Sequence, residues 1–340
     1  MRIVFLGSDP IARPLLEWII ANPENVGTLA AVFTQPDRPV GRGQHIVANE
    51  IKTCALAYRV PVLQPEKLTD DVRHQLAELR PDVSVVMAYG HILRDAFIAT
   101  PRLGTLNLHA SLLPKFRGAS PIQTAIASGE RETGISLMRI VRKLDAGPVA
   151  DVERVTIESR DTAADLEAKL SRACVPLLER NWASLRAGTL NFAEQDGPSA
   201  TYCRRLTKAD SAIDFNASAE SLAARINGLY PWPGCTVEIG TQIIKIGLAE
   251  AETDVETKTD TETVAMAGEP ASPGTVISTS GESVRVATSR GILKLRKLQR
   301  PGGKMLAAAD FMRGFALPVG TVIPSRPMNA LVANEPFPYK

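Results

Sequence analysis

Three continuous apolar runs limit what this chain can fold into. They are "RIVFLG" (Arg2–Gly7), "LAAVFT" (Leu29–Thr34) and "VSVVMAYG" (Val83–Gly90). Each is too short for a core helix and lacks the polar alternation of a strand that faces water. Runs of this kind suit strands buried on both faces, as in a parallel sheet covered by helices. Helical spacing intervenes: Ile11, Leu15, Leu16, Ile19 and Ile20 recur on one side. Strand and helix in alternation predict an α/β domain with a doubly wound parallel sheet.

"LNLHA" and "GISLMRIV" (Gly134–Val141) supply further strands of this Rossmann-like sheet. A long helix is predicted from about Thr162 to Ala187. Thr162 and Asp165 cap it, and Leu166, Leu170, Cys174, Leu177, Leu178, Trp182 and Leu185 form its apolar face. The first strand is followed by "GSDPIA", not G-x-G-x-x-G, which argues against a nicotinamide or flavin cofactor.

After about residue 190 the periodicity is lost. Residues 1–190 read as one domain, 191–206 as a linker and 207–340 as a second domain. In the latter, "AESLAARINGL" is a helix. "CTVEIG", "QIIKIGLA", "GTVISTS", "SVRVAT" and "GILKLRKLQ" are short strands with glycine turns, predicting a small OB-like β-barrel. The Thr- and acid-rich stretch near 250–272 reads as a solvated loop of unassigned role.

Net charge is +2, which by itself selects no partner. Four scattered cysteines form no C-x-x-C pair, so reduced thiols in a cytoplasmic protein are expected rather than zinc or disulfides. The apolar start is too short for a signal peptide, and no window approaches a membrane span. No exposed heptad suggests oligomerisation, so a monomer is expected.

The chemistry concentrates in "LNLHASLLPKFRG" (Leu106–Gly118). Residues two apart in a strand share a face, so Asn107 and His109 point one way and Leu106, Leu108 and Ala110 the other. Asn can donate to a developing oxyanion, and His can move a proton near neutrality. Asp145, in "KLDAG", is the candidate carboxylate to orient His109. Ser120, Pro121 and Gln123 read as a helix start with a capping box. These residues point to acyl-transfer chemistry without a covalent enzyme intermediate; they do not name a substrate.

"HASLLPKFRGASPIQ", followed some thirty residues later by "LDAG", resembles the signature of the folate-dependent formyltransferase family. The resemblance implies 10-formyltetrahydrofolate as formyl donor and Asn107, His109 and Asp145 as catalytic trio. It also implies folate contacts at Ser111, Leu112, Leu113 and Pro114, and at Met87, Ala88, Tyr89 and Gly90. No metal is called for, because a neutral amine is already nucleophilic.

"FTQPDRPVGRGQ" (Phe33–Gln44) and "LTKADSAIDFNASAESLAARINGLYPWPG" (Leu206–Gly234) are similar to the branch of that family that formylates methionyl initiator tRNA. That likeness implies an acceptor loop carrying Arg38 and Arg42. From Arg285 to Arg313 basic residues abound and the one acid is Asp310. Lys294, Arg296, Lys297, Arg300 and Lys304 are therefore expected to meet tRNA phosphates. Arg142 and Lys143 depart from the family's usual acidic or small residues. A sugar-nucleotide formyltransferase, a formyl-folate hydrolase and an inactive RNA-binding protein are the alternatives.

Overall fold

The structure is a computed structural model that describes residues 1–40, 43–252, 271–279 and 281–338. The chain forms two compact units. The first comprises Met1–Gly118, Glu132–Thr156 and Glu167–Thr201. The second comprises Ala119–Arg131, Ile157–Leu166 and Tyr202–Lys340.

The strands up to Thr156 are β1 (Arg2–Gly7), β2 (Thr28–Phe33), the hairpin β3 (Arg38–Val40) and β4 (His45–Val47), β5 (Val62–Leu63), β6 (Val83–Met87), β7 (Thr105–His109), the two-residue β8 (Arg117–Gly118), β9 (Glu132–Arg139) and β10 (Val149–Thr156). Seven of them make the main sheet, in the order β10-β9-β7-β6-β1-β2-β5. From β7 to β5 the pairing is parallel, as the apolar runs predict. β9 and β10 depart from the all-parallel expectation: β9 runs antiparallel to β7, and β10 antiparallel to β9. β9 is buried through its middle like the parallel strands, so its apolar run reads as theirs do and does not mark the reversal.

The runs become strands because both faces are covered. Ile3, Val4, Phe5 and Leu6 are inaccessible, as are Val83 and Val85. β6 ends at Met87, short of the predicted Gly90. Ala88 and Gly90 adopt positive φ, 48° and 82°, and turn the chain out of the sheet. The covering helices are α1 (Arg13–Ala21), α2 (Pro23–Val26), α3 (Glu50–Ala57), α4 (Asp70–Glu78) and the short α5 (Asp95–Ile98). α6 (Pro121–Ala127) belongs to the second unit, and α7 (Ala163–Ala187) is the long helix.

The seven apolar residues assigned to α7 are all buried. Its cap forms as read: Thr162 N–H donates to Asp165 Oδ2 at 2.9 Å. Trp182 Nε1 donates to the Val26 carbonyl at 3.0 Å, tying the helix down. The capping box expected at α6 does not form. Ser120 sits at the N-cap and Pro121 in the first turn, but the Ser120 side chain makes no capping bond.

The second unit contains β11 (Tyr202–Cys203), α8 (Ala219–Leu229), β12 (Cys235–Ile239), β13 (Gln242–Glu252), β14 (Val276–Ser278), β15 (Val284–Ala287), β16 (Ile292–Gln299), β17 (Leu306–Ala307), α9 (Ala308–Arg313) and β18 (Val332–Ala333). Its antiparallel sheet runs β12-β13-β16-β15-β14, with β17 beside β16. Phe215, Leu222, Ile226, Ile244, Ile246, Leu293 and Phe311 make its core. The register of β13 against β16 shifts around Leu248, and Asn227 of α8 satisfies the disturbed backbone. Its amide donates to Ala249 O at 3.0 Å and accepts from Ala249 N at 2.9 Å. Gly228 lets α8 meet α6: a Cβ there would stand 2.6 Å from Gln123 O.

Candidate active site

β7 sets out the first two side chains. Leu106 and Leu108 are buried on one face; Asn107 and His109 share the other. Asn107 pairs in register with Val86 of β6 and Met138 of β9, so its backbone is fixed from both sides. Its side chain is half-buried and has no protein partner among the described residues. That amide keeps two N–H donors available for a ligand oxygen.

His109 is only 6% exposed. Its Nε2 lies 3.0 Å from the carbonyl oxygen of Phe116. A carbonyl only accepts, so Nε2 carries hydrogen and donates. Nδ1 is then the nitrogen free to take or give a proton, and it faces Asp145, with Oδ2 at 3.8 Å. That distance is an electrostatic contact, too long for a direct hydrogen bond. The sequence assigns the orienting role to Asp145; Phe116 shares it through its backbone.

The segment after β7 is braced against β9. Ser136 Oγ donates to Ser111 O at 2.7 Å and accepts from Leu113 N at 3.0 Å. Ser111 Oγ closes the turn onto Lys115 O at 2.6 Å. Phe116, at φ 57°, donates its N–H to Thr201 Oγ1 at 2.9 Å. Ser111 is buried, while Leu112, Leu113 and Pro114 keep partly exposed surface.

β9 carries the chain away from His109: Ser136 lies opposite His109, but Arg139 lies opposite Leu106. The segment 140–148 must therefore return, and it brings Asp145 back to His109. Asp145 adopts φ 46°, and its Oδ2 accepts from Gly118 N at 2.8 Å. Gly147 permits the close pass, since a Cβ there would meet Arg139 O at 1.9 Å. Gln195, in the stretch read as linker, donates to the carbonyl oxygens of Asp145 and Gly147. Arg142 and Lys143 of this segment are exposed.

At the ends of β1, β2 and β6 a second polar group was missed in the sequence. Ser8 Oγ accepts from Gln35 N and donates to Tyr89 O. Asn49 caps α3 through Lys52 N at 2.9 Å and donates to Gln35 O at 3.1 Å. Lys52 Nζ at 2.6 Å and Gln64 Nε2 at 2.8 Å bind the Asp37 carboxylate and hold its pKa below the ordinary value. Together they fix the entry to the β3–β4 hairpin. Arg38 on that hairpin is exposed and 3.5 Å from Glu66; Arg42 lies outside the described residues. Of the strand-end group, Met87 and Tyr89 are buried, and Ala88 and Gly90 are exposed. Ala88 O and Tyr89 O are engaged by Ser8 and Gln35. Among the described residues no three or more His, Cys, Asp or Glu side chains could hold a metal ion, and no helix is long and apolar enough to cross a membrane.

The Formyl transferase family matches residues 1–179, and its C-terminal domain family matches residues 205–316. A methionyl-tRNA formyltransferase of Delftia acidovorans is 39% identical over 336 residues, covering 95% of this chain and 97% of that protein. The chain belongs to the formyl transferase family. A methionyl-tRNA formyltransferase of Coxiella burnetii is likewise 39% identical, over 92% of this chain and 95% of its own. Among solved structures, the sugar 3N-formyl transferase WlaRD, with dTDP and 5-N-formyl-THF, has a TM-score of 0.63. It is 17% identical and covers 87% of this chain and 97% of that one, a likeness of fold.

The second unit of this formyl transferase sorts its basic residues into two groups. Lys294 Nζ lies 3.1 Å from Glu252 Oε2, beside Arg285 Nη2 at 2.5 Å from Oε1. Arg296 pairs with Glu250 at 2.5 Å, and Arg160 binds the same carboxylate. Burial pushes the Glu250 carboxyl up, but the two guanidinium groups outweigh it and hold it below the ordinary value. The scarcity of acids around β16 is thus local to the sequence, because β13 supplies them across the ladder. Lys297 and Lys304 are exposed, and Arg300 donates to Gly314 O at 3.0 Å.

Proposed function

We propose that this formyl transferase moves a formyl group from 10-formyltetrahydrofolate to the free amino group of methionine on initiator tRNA. The observation that carries the acceptor is the 39% identity to the Delftia protein across both matched regions. In this reading Asn107, His109 and Asp145 are the catalytic trio. The amine nitrogen attacks the formyl carbon and the carbonyl π pair moves to oxygen. Asn107 donates to that oxygen, and His109, protonated at Nδ1, adds positive charge beside it. Asp145 balances the imidazolium. The C–N10 bond then breaks, the amine loses one proton, and folate N10 gains one.

The folate is read as lying along Ser111–Pro114 and the backbone of Met87–Gly90. The β3–β4 hairpin, with Arg38 and Arg42, is read as meeting the aminoacyl end. The boundaries 1–190 for catalysis, 191–206 for a linker and 207–340 for tRNA binding belong to the same proposal. So do an OB-like form for the second unit, a monomer, and a cytoplasmic location. Lys297, Arg300 and Lys304 are the cations best disposed towards phosphates; Lys294 and Arg296 share their charge with Glu252 and Glu250.

The test offers 10-formyltetrahydrofolate with methionyl initiator tRNA, uncharged tRNA or a UDP-amino sugar. Formyl-methionyl-tRNA in the first reaction alone is the expected result. Transfer only to the sugar would overturn the acceptor, and formate released without any acceptor would make the chain a hydrolase.

A further inference from the structure

Gln195 lies in a stretch with no periodicity, yet its amide is fully used. Oε1 accepts from Arg117 Nε at 3.1 Å and from Nη2 at 2.7 Å. Nε2 donates to Asp145 O at 2.8 Å and to Gly147 O at 2.7 Å. Two lone pairs and two hydrogens are the whole capacity of a glutamine side chain. Arg117 is 2% exposed, so this contact is made out of water. The backbone around Gln195 is anchored as well, since Ala193 and Val149 exchange both N–H···O bonds at 2.8 Å.

These bonds close a ring around Asp145. Its carboxylate is held by Gly118 N, the residue next to Arg117. Its carbonyl is held by Gln195, which grips the guanidinium of Arg117. Both ends of Asp145 are thereby referred to one Arg117–Gln195 pair. The ring also holds Asp145 at φ 46°, a left-handed conformation uncommon outside glycine that aspartate tolerates better than most residues.

We infer that Gln195 is a positioning residue for the transfer reaction: through Arg117 it sets where the Asp145 carboxylate stands beside His109. This inference rests on the trio reading of Asn107, His109 and Asp145. Only an amide fits, because the site needs an acceptor towards Arg117 and donors towards two carbonyl oxygens. A carboxylate would keep the first and set its other oxygen against Asp145 O and Gly147 O.

The experiment compares the full chain with Gln195→Glu, Gln195→Ala and Asp145→Asn. Formyl transfer to methionyl initiator tRNA is measured across pH, with the His109 ring titration followed by NMR and thermal unfolding beside it. Gln195→Glu keeps a partner for the buried Arg117 and so is the variant expected to stay folded. Its kcat should fall about 10- to 10²-fold, the scale of a small misplacement of a reacting group, with KM for both substrates within about twofold. Its pH–rate profile and His109 titration should move towards those of Asp145→Asn. Wild-type turnover and titration in Gln195→Glu, with Asp145→Asn inactive, would overturn the positioning role alone. A thermal shift without change in either profile would do the same. Full activity in Asp145→Asn would instead sink the trio reading and this inference with it.

Discussion

Ser136 and Ser111 are joined by a 2.7 Å hydrogen bond from the Ser136 hydroxyl to the Ser111 carbonyl, both residues being fully buried. The same hydroxyl takes the Leu113 N–H, so one oxygen on β9 shapes the turn that follows β7. Ser136→Ala leaves a buried carbonyl and an N–H without partners, at a cost of about 1–3 kcal/mol. Urea unfolding should show that loss, and the KM for formyl-folate should rise. An unchanged midpoint with unchanged KM would mean the turn holds itself.

Removing one donor to a developing oxyanion costs about 3 kcal/mol, or roughly 10²–10³ in rate. Asn107→Ala and His109→Ala should each lose at least that much single-turnover rate. Asn107→Ala should leave unfolding unchanged, because its amide makes no protein hydrogen bond among the described residues. Near-normal transfer in either variant would remove that residue from the chemistry.

How much of this site the sequence revealed depends on separation along the chain. Asn107 and His109 were legible because two residues on one strand declare their shared face. Asp145 was legible as a carboxylate in a glycine turn, but its route back over β7 was not. That route depends on the antiparallel β9, whose buried apolar run reads like those of its parallel neighbours. Gln195 left no signal, because its partners are Arg117, Asp145 and Gly147, far off in sequence. The β16 cations looked unopposed for the same reason: Glu250 lies far before Lys294 in the chain yet sits opposite it in the ladder.

Those pairings divide the cations by experiment. Lys297→Ala and Lys304→Ala should weaken tRNA binding and each flatten the dependence of log K on log salt by about 0.9. Lys294→Ala should instead destabilise the second unit, because it strips a partner from Glu252, which is 4% exposed. Filter binding across a salt series, with unfolding measured beside it, separates the two classes. Equal salt slopes for all four proteins, wild type included, would contradict a phosphate role for Lys297 and Lys304.

Acid should attack the second unit through Asp210. Its burial pushes the carboxyl up, but Arg204 at 2.5 Å and the Thr207 N–H at 2.7 Å outweigh that and hold it below the ordinary value. A folded pKa below the unfolded one adds stability at pH above the ordinary carboxylate range. That stability is lost as pH falls through the depressed folded value. Asp210→Asn should cost about 1–3 kcal/mol at neutral pH, since the partly exposed Arg204 loses its charged partner while the amide keeps one acceptor oxygen. It should also flatten the acid limb of stability; a limb as steep as wild type would assign acid unfolding to other carboxylates.

The pleat of β7 is also a ruler. Two strand residues advance about 6.4–6.8 Å, and that interval separates the Cα atoms of Asn107 and His109. Insertion or deletion of one residue in that interval would not merely shorten the spacing. It would send one of the two through the sheet to the side of Leu106 and Leu108, and bring a leucine out in exchange. A change of length inside the interval 107–109 would therefore disturb at one stroke the packing of the sheet and the reach of its chemistry.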